Sequence, residues 1–255
     1  MGILPFMSPI ALFKRFAPLR DYLSAHIGRT VIIETARDYP QFVRRSQARR
    51  YDILYTAPHF ALLASDSGRY RLRATYVRPL SALILVRRNG PIHKLADLAG
   101  KIVATPPPEA IVTMFGRRML GREGLTGARS PVYRNYLSHT AAYQAVVGGE
   151  AQAAIVAVNV VHDPHDEATP LRILAHSRNF PAVGFLTASD LPERLQQRIA
   201  QVLVTLTKTR AGRRILKQIR DPASGYRPAR LRNFEPLRPF LQPFGYSADP
   251  APGSP

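Results

Sequence analysis

Short apolar runs alternate with amphipathic stretches along the N-terminal third of the chain, which is the pattern of strands alternating with helices. Apolar and β-branched runs predict strands at Ile3–Met7, Thr30–Thr35 and Asp52–Thr56. Apolar residues at helical spacing predict helices at Ile10–Ile27 and Tyr39–Arg49. The predicted order is therefore β-α-β-α-β. The next predicted elements are a helix at Pro58–Ser65 and strands at Leu72–Val77 and Ala82–Arg87.

The middle third repeats this order of elements. The predicted elements are strand Lys101–Thr105, helix Glu109–Gly121, strand Pro131–Leu137, a helix from Ser138 to Gly148, and strand Ala153–Val161. Two such units predict two mostly parallel sheets covered by helices, because right-handed crossovers place helices on the sheet faces. The predicted fold class is α/β, with two doubly wound lobes. Ligands of such sheets bind beyond the carboxyl ends of the strands, which predicts a ligand cleft between the lobes.

The last third returns to strands and then ends in helices and proline-rich sequence. Strands are predicted at Leu171–Ala175 and Val183–Thr187, and helices at Pro192–Thr209 and Ala211–Ile219. The segment that follows is rich in Pro and Arg. Its final residues, 247–255, contain three prolines and are predicted to be a disordered tail outside the fold.

Composition indicates a globular chain that is not embedded in a membrane. Its 255 residues are 45% hydrophobic, and no apolar run reaches the ~18 residues that span a bilayer. The opening Met1–Phe13 is apolar, but Lys14 and Arg15 follow it instead of preceding it, so we interpret it as a strand and a helix start, with no visible signal peptide. The absence of cysteine excludes disulfides, thiolate catalysis and Cys-based metal sites.

A formal net charge of +19 raises the question of an anionic partner. Of the 36 basic residues, 31 are arginines, and they are spread along the whole chain. The densest run, Arg44 to Arg50, suits a solvated helix face about as well as a phosphate contact. A basic nucleic-acid-binding protein is therefore an alternative, which a continuous surface stripe of arginines would favour.

Five strings in order resemble one known family. They are YDILYTAPHFALLA, LADLAGKIVATPP, GRRMLGREGL, SHTAAYQAVVGGEAQAAIVAV and GYRPARLRNFEPLRPFL, and together they cover most of Leu4 to Phe244. The sequence resembles the phosphate/phosphite/phosphonate-binding proteins of ABC importers, which have the type 2 periplasmic-binding-protein fold. The resemblance implies a solute-binding protein and not an enzyme, acting in the periplasm without a cofactor. Its implied partners are a small anionic or zwitterionic solute and ABC permease subunits, with no nucleic acid.

The resemblance also implies two chain crossings, near Arg78–Ala82 and Asn179–Val183. Lobe 1 would then comprise residues 1–79 and 183–246, and lobe 2 residues 80–182. A second interpretation keeps the same fold but makes the chain a ligand-sensing module, and the lack of a visible leader favours it.

Candidate ligand-binding residues stand at predicted strand ends. Tyr55, Thr56 and Ala57 follow a strand and can present a hydroxyl and backbone N–H groups to a ligand oxygen, although strand-to-helix turns favour Thr anyway. Asn159, near the end of the apolar strand in lobe 2, either contacts the ligand or only terminates the strand. Met7, Ser8 and Tyr76 are weaker candidates.

Ser138, His139 and Thr140 begin a helix directly after a strand. Ser138 suits an N-cap, and in the simplest interpretation it is only that, followed by a surface histidine. In the functional interpretation the helix N-terminus and the imidazole bind an anionic group. The family resemblance implies a ligand-contacting histidine at His139.

Thr105, at the end of a predicted strand, is a further candidate ligand-binding residue, and the loop after it departs from the family pattern. Phosphonate binders resembling this chain carry a Ser/Thr-rich turn here, whereas this chain has Pro106, Pro107, Pro108 and Glu109. Prolines have no N–H to donate. Glu109 either stabilises the first turn of a helix or faces the ligand, where it would repel a phosphonate and suit an amine.

Metal and catalytic motifs are weak. The cluster with metal-ligand chemistry is His162, Asp163, His165, Asp166 and Glu167, but its spacing is typical of a polar loop, so no metal site is predicted. The sequence contains no G-x-S-x-G, P-loop, H-E-x-x-H or G-x-G-x-x-G string, so no catalytic residue is assigned.

Overall fold

The computed structural model describes residues 1–160, 169–219 and 225–244. It divides the chain into two compact units. Unit 2 is Leu80–Phe180, and unit 1 is Met1–Pro79 together with the described residues from Pro181 onward. The metal-type cluster at His162–Glu167 and the predicted tail at 247–255 lie outside the described residues.

The described strands and helices follow in chain order. The strands are β1 (Gly2–Ile3), β2 (Ile53–Thr56), β3 (Tyr70–Tyr76), β4 (Ala82–Arg87), β5 (Ile102–Thr105), β6 (Val132–Asn135), β7 (Ala153–Ala157), β8 (Leu171–His176), β9 (Gly184–Ala188) and β10 (Tyr226–Pro228). The α-helices are α1 (Pro9–Ile27), α2 (Tyr39–Gln47), α3 (Pro58–Asp66), α4 (Ile111–Arg122), α5 (His139–Val147), α6 (Glu193–Val204) and α7 (Arg210–Gln218). Among the described residues, none of these helices combines the length and apolar character needed to cross a bilayer.

Unit 1 is built on a five-stranded sheet in the order β1-β2-β9-β3-β10. Helix α1 covers one face of it with four fully buried side chains at helical spacing, Leu12, Phe16, Leu19 and Leu23. Burial of this stripe is the main reason that the segment is stable as a helix, since packing of an apolar face outweighs intrinsic propensity.

Unit 2 is built on a second five-stranded sheet, in the order β6-β5-β7-β4-β8. Strand β5 pairs in parallel with β6 and β7, whereas β4 pairs antiparallel with β7 and β8. In unit 1, β1 and β2 are parallel, and the pairs of β9 with β2 and β3, and of β10 with β3, are antiparallel. The α/β class with two helix-covered sheets is confirmed, but the prediction of mostly parallel sheets is wrong. Both sheets are mixed.

Two predicted N-terminal strands are much shorter than expected. The first strand ends at Ile3, because the N–H of Phe6, which is the next to face β2 after that of Leu4, donates to the Leu4 carbonyl instead. On the opposite side of the strand, the Ile3 N–H donates to the Glu34 carbonyl, and Pro5 has no N–H to continue that ladder. The predicted strand Thr30–Thr35 is reduced to a single bridge between Gly2 and Glu34. Its neighbour among the described strands, β1, has two residues, so a longer ladder has no partner there.

Other elements also begin or end at residues that differ from their predicted bounds. Helix α4 begins at Ile111, so Glu109 precedes the helix and lies in a turn closed by the Ala110 N–H and the Pro107 carbonyl. Strand β7 ends at Ala157 and is followed by a 3-10 turn at Val158–Val160. The predicted helix Pro192–Thr209 ends at Val204, and a 3-10 turn follows at Leu206–Lys208.

Candidate functional site

The carboxyl ends of β5, β6 and β7 lie side by side in unit 2. Thr105, the last residue of β5, is fully buried and pairs in register with Asn135, the last residue of β6. The Thr105 hydroxyl lies 2.8 Å from Asn135 Oδ1, and the Tyr136 N–H donates to the Thr105 carbonyl at 2.7 Å. The candidate Thr105 hydroxyl is therefore used inside the unit, where it ties two strand ends together.

The proline-rich loop after Thr105 places the start of α4 at this edge. Ala110 is the N-cap of α4 and offers no side-chain acceptor to the first-turn N–H groups. The hydroxyl of Thr113 in that first turn donates to the Pro106 carbonyl at 3.3 Å. The three prolines of the loop provide no N–H donors. The loop nevertheless places the N-terminus of α4, which has no side-chain cap, at this edge of the sheet. Glu109 is half-buried just before α4.

Helix α5 begins at the same edge, directly after β6. Ser138 is its N-cap, and the Ala141 N–H donates to the Ser138 hydroxyl oxygen at 3.1 Å, so the predicted cap is confirmed. A hydroxyl that accepts in this way keeps its own proton for donation. The backbone N–H groups of His139 and Thr140, in the first turn, have no intrahelical acceptor. Thr140 is exposed and Ser138 is half-buried.

His139 connects α5 to the end of β7. Its Nδ1 accepts the backbone N–H of Ala157 at 3.2 Å, so Nδ1 is unprotonated and the ring proton is on Nε2. The residue keeps part of its surface accessible, but the atoms packed around the imidazole desolvate it. This desolvation lowers the pKa of His139 from 6.5 to about 4. At neutral pH, His139 is therefore an uncharged hydrogen-bond donor through Nε2.

This lowered pKa predicts an acid-dependent loss of stability. In the unfolded state His139 becomes protonated below its ordinary pKa of 6.5, whereas in the folded state it becomes protonated only below about pH 4. The free energy of unfolding should therefore fall between these pH values, by at most about 1.4 kcal/mol per pH unit from this group. Urea denaturation of the wild type and of His139→Asn, whose amide oxygen can still accept the Ala157 N–H, measures the effect. Equal pH slopes in the two proteins would contradict it.

The candidates in unit 1 lie at the end of β2, with side chains on opposite faces of the sheet. Tyr55 packs in the core beneath α1 with its ring 4.9 Å from those of Phe16 and Phe185. Its hydroxyl lies 2.9 Å from the Tyr76 hydroxyl, and the Tyr76 ring stacks on Tyr226 at 4.6 Å. Tyr55 and Tyr76, predicted separately, are thus brought into one aromatic cluster.

Thr56 lies on the other face, toward α2 and α3. It is 1% exposed, and its hydroxyl has no hydrogen-bond partner among the described residues. Ala57 is the N-cap of α3 and provides no side-chain acceptor. A buried hydroxyl without a hydrogen-bond partner is destabilising unless it gains one. Thr56, beside the uncapped N-terminus of α3, therefore remains a candidate for binding a ligand.

A family model for the phosphonate-type periplasmic substrate-binding proteins of ABC transporters matches residues 1–234. The chain belongs to this family. Members of the phosphonate-binding family are binding components of transporters and not enzymes.

Solved structures share the fold of this phosphonate-binding protein at low sequence identity. PhnD1 from Prochlorococcus marinus (MIT 9301), in complex with methylphosphonate, has a TM-score of 0.84 at 14% identity, covering 96% of this chain and 97% of that one. A binding protein component of an ABC phosphonate transporter (PA3383) from Pseudomonas aeruginosa has a TM-score of 0.79 at 15% identity, covering 94% and 83%. XAC2383 from Xanthomonas citri, bound to chloride, has a TM-score of 0.78 at 19% identity, covering 95% and 97%.

The remaining candidates of the phosphonate-binding protein are more dispersed. Asn159 is exposed in the 3-10 turn after β7, two residues beyond the partner of His139. Ser8 is the N-cap of α1, accepting the Ala11 N–H at 3.4 Å. Sequence reasoning missed Asn135 and Tyr226. The rule that polar residues collect at strand ends would have found Asn135, whereas Tyr226 begins a three-residue strand in proline-rich sequence, where no periodicity is visible.

Proposed function

We propose that this phosphonate-binding protein captures a small oxyanion of the phosphonate or phosphate type in the periplasm and delivers it to an ABC permease. Family membership supports the transport role. The observation that carries the oxyanion assignment is His139, held neutral with Nδ1 bound to the Ala157 N–H and Nε2–H left as a donor. A donor fixed in this way needs no reorientation to bind an oxygen.

The other candidates at this edge of unit 2 are also mainly donors. The Ser138 hydroxyl keeps a proton to donate, and the first turn of α5 adds the N–H groups of His139 and Thr140. Helix N-termini favour negative charge through both their free N–H groups and the helix dipole. The candidate set contains one carboxylate, Glu109, and it lies in the turn before α4. Such a set suits an anion without an ammonium group.

An apolar side chain stands beside these donors. Leu137 immediately precedes Ser138 and is 90% exposed. An exposed leucine next to hydrogen-bond donors matches a solute with an alkyl group on one side and oxyanion oxygens on the other. We therefore place simple alkylphosphonates ahead of aminoalkylphosphonates as the solute class.

Thermal unfolding with a panel of solutes tests the proposal. The panel contains methylphosphonate, ethylphosphonate, phosphite, phosphate, 2-aminoethylphosphonate, methanesulfonate and glycine. A solute present at 100 times its dissociation constant stabilises the folded state by about 2.7 kcal/mol. We expect the largest shift with an alkylphosphonate, phosphite or phosphate. Stabilisation by glycine or 2-aminoethylphosphonate alone would overturn the solute class.

Thr56→Val gives an independent test in unit 1. Valine preserves the shape but removes the buried hydroxyl that lacks a described partner. If that hydroxyl contacts the oxyanion, the variant should be as stable as the wild type, or more stable by about 1 kcal/mol, and should bind the solute about tenfold more weakly. Unchanged affinity would remove Thr56 from the site.

A further inference from the structure

Helix α7 in unit 1 has two faces of opposite character. Gly212, Ile215 and Leu216 are buried against the unit. The opposite face presents exposed cations at positions i, i+3, i+4 and i+7, which are Arg210, Arg213, Arg214 and Lys217. Because residues at this spacing lie on one side of a helix, the cations form a single row about 10 Å long. We call this row, with the exposed Lys208 just before it, the basic face.

Among the residues that the structure describes, no acidic side chain neutralises the basic face. None of its five cations forms an ion pair with a described residue, and the helix has no acidic residue in its first turn. Helix α1 packs against α7, and its one acidic residue, Asp21, is paired with Arg20 at 2.7 Å. The free positive charge therefore faces outward.

The densest arginine run in the sequence behaves differently. Arg49 pairs with Asp52 and Asp190, and Arg50 pairs with Glu34. Arg45 donates to the Thr35 carbonyl at 2.9 Å. Three of the four arginines of this run are therefore occupied by local contacts, so the run does not provide a continuous phosphate-binding stripe. The basic face of α7 is the stronger candidate for an anionic partner.

We infer that the basic face binds anionic phospholipid headgroups at the membrane surface. The family works with a membrane-embedded transporter, so its members act next to a lipid surface. Each lysine or arginine near an anionic bilayer strengthens binding about fivefold. Such attraction would concentrate the protein at the membrane and raise its rate of encounter with a permease.

A lipid surface fits the basic face better than a nucleic acid does. The face is one short row on one helix, and the exposed residues of α7 include no aromatic side chain for stacking on bases. Lipid headgroups lie in a plane at the membrane surface, so a single row of cations along one helix is enough to contact them. Five cations are also enough for the polybasic type of lipid binding, which uses about four to eight.

Vesicle co-sedimentation of the full chain tests this inference. The probe is phosphatidylcholine vesicles with or without phosphatidylglycerol, at about 0.1 M salt, where charges interact over about 10 Å. The variant R210Q/R214Q/K217Q removes three cations whose side chains make no described hydrogen bond, and glutamine preserves helix propensity. We expect it to bind the anionic vesicles about a hundredfold more weakly than the wild type.

The matched control is K101Q/R129Q/R134Q, which removes three exposed cations from unit 2 and has the same net charge. It should bind the anionic vesicles within about threefold of the wild type. Equal losses in the two variants would overturn the inference, because net charge alone would then explain binding. Equal binding of the wild type to neutral and anionic vesicles would also overturn the inference. Binding of duplex DNA that depends on the basic face, without vesicle binding, would replace the lipid with a nucleic acid.

Discussion

Replacing His139 with asparagine should weaken the binding of methylphosphonate, or of whichever panel oxyanion gives the largest shift, by about tenfold to a hundredfold. Asparagine can still accept the Ala157 N–H through its amide oxygen, so the contact between α5 and β7 is kept. It cannot place a donor where the imidazole Nε2 lies. A hydrogen bond to a charged group contributes about 1.5–3 kcal/mol, which sets the expected loss. Isothermal titration calorimetry measures the affinity directly.

His139→Gln is the matched control for this loss. The longer side chain brings its amide nitrogen close to the position of Nε2, so it should recover most of the affinity that asparagine loses. If both variants bind like the wild type, His139 does not contact the solute and its role is to connect α5 to β7. If both lose binding equally and also lose stability, the effect comes from the fold and not from the donor.

The sequence predicted elements well where burial decides them locally. The apolar runs at β2 and β7, and the stripe of α1, needed only their own composition to be recognised, because each is buried along its length. The run Thr30–Thr35 had an equally strong β-branched pattern, yet it forms one bridge. A strand also requires a partner of matching length, and that depends on Pro5 and on the register of a distant segment.

Pairing direction could not be predicted for the same reason. Strands β9 and β10 come from the return of the chain into unit 1 and pair antiparallel there, and nothing in the composition of Gly184–Ala188 encodes that direction. The candidate site likewise combines features that a local sequence pattern predicts with features that depend on distant residues. The Ser138 cap is local and was predicted, whereas the Thr105–Asn135 contact joins residues 30 apart in sequence. The neutral state of His139 depends on packing around its ring, which no local pattern reveals.

Gly212→Ala should destabilise unit 1 by about 3 kcal/mol, the upper end of the typical cost of overpacking, since the neighbouring atoms are rigid. A Cβ at Gly212 would lie 2.0 Å from the carbonyl oxygen of Leu206 and 2.7 Å from its carbonyl carbon. These are backbone atoms of the preceding 3-10 turn, so they cannot move aside as a flexible side chain can. Helix α7 would have to shift away from the turn, which would disturb the burial of Ile215 and Leu216. A fall in Tm of about 6–12 °C is expected in circular dichroism.

Gly121→Ala provides the comparison, because the same substitution near the end of α4 should have the opposite sign. A Cβ there meets only the methyl group of Thr126, at 3.8 Å, which is ordinary contact. Alanine in place of a helical glycine then stabilises by up to about 1 kcal/mol, through propensity and a less flexible unfolded chain. If Gly212→Ala were neutral or stabilising like Gly121→Ala, α7 would not pack on Leu206 as described. The row of cations at Arg210 to Lys217 would then not be held at a fixed orientation on the surface of unit 1.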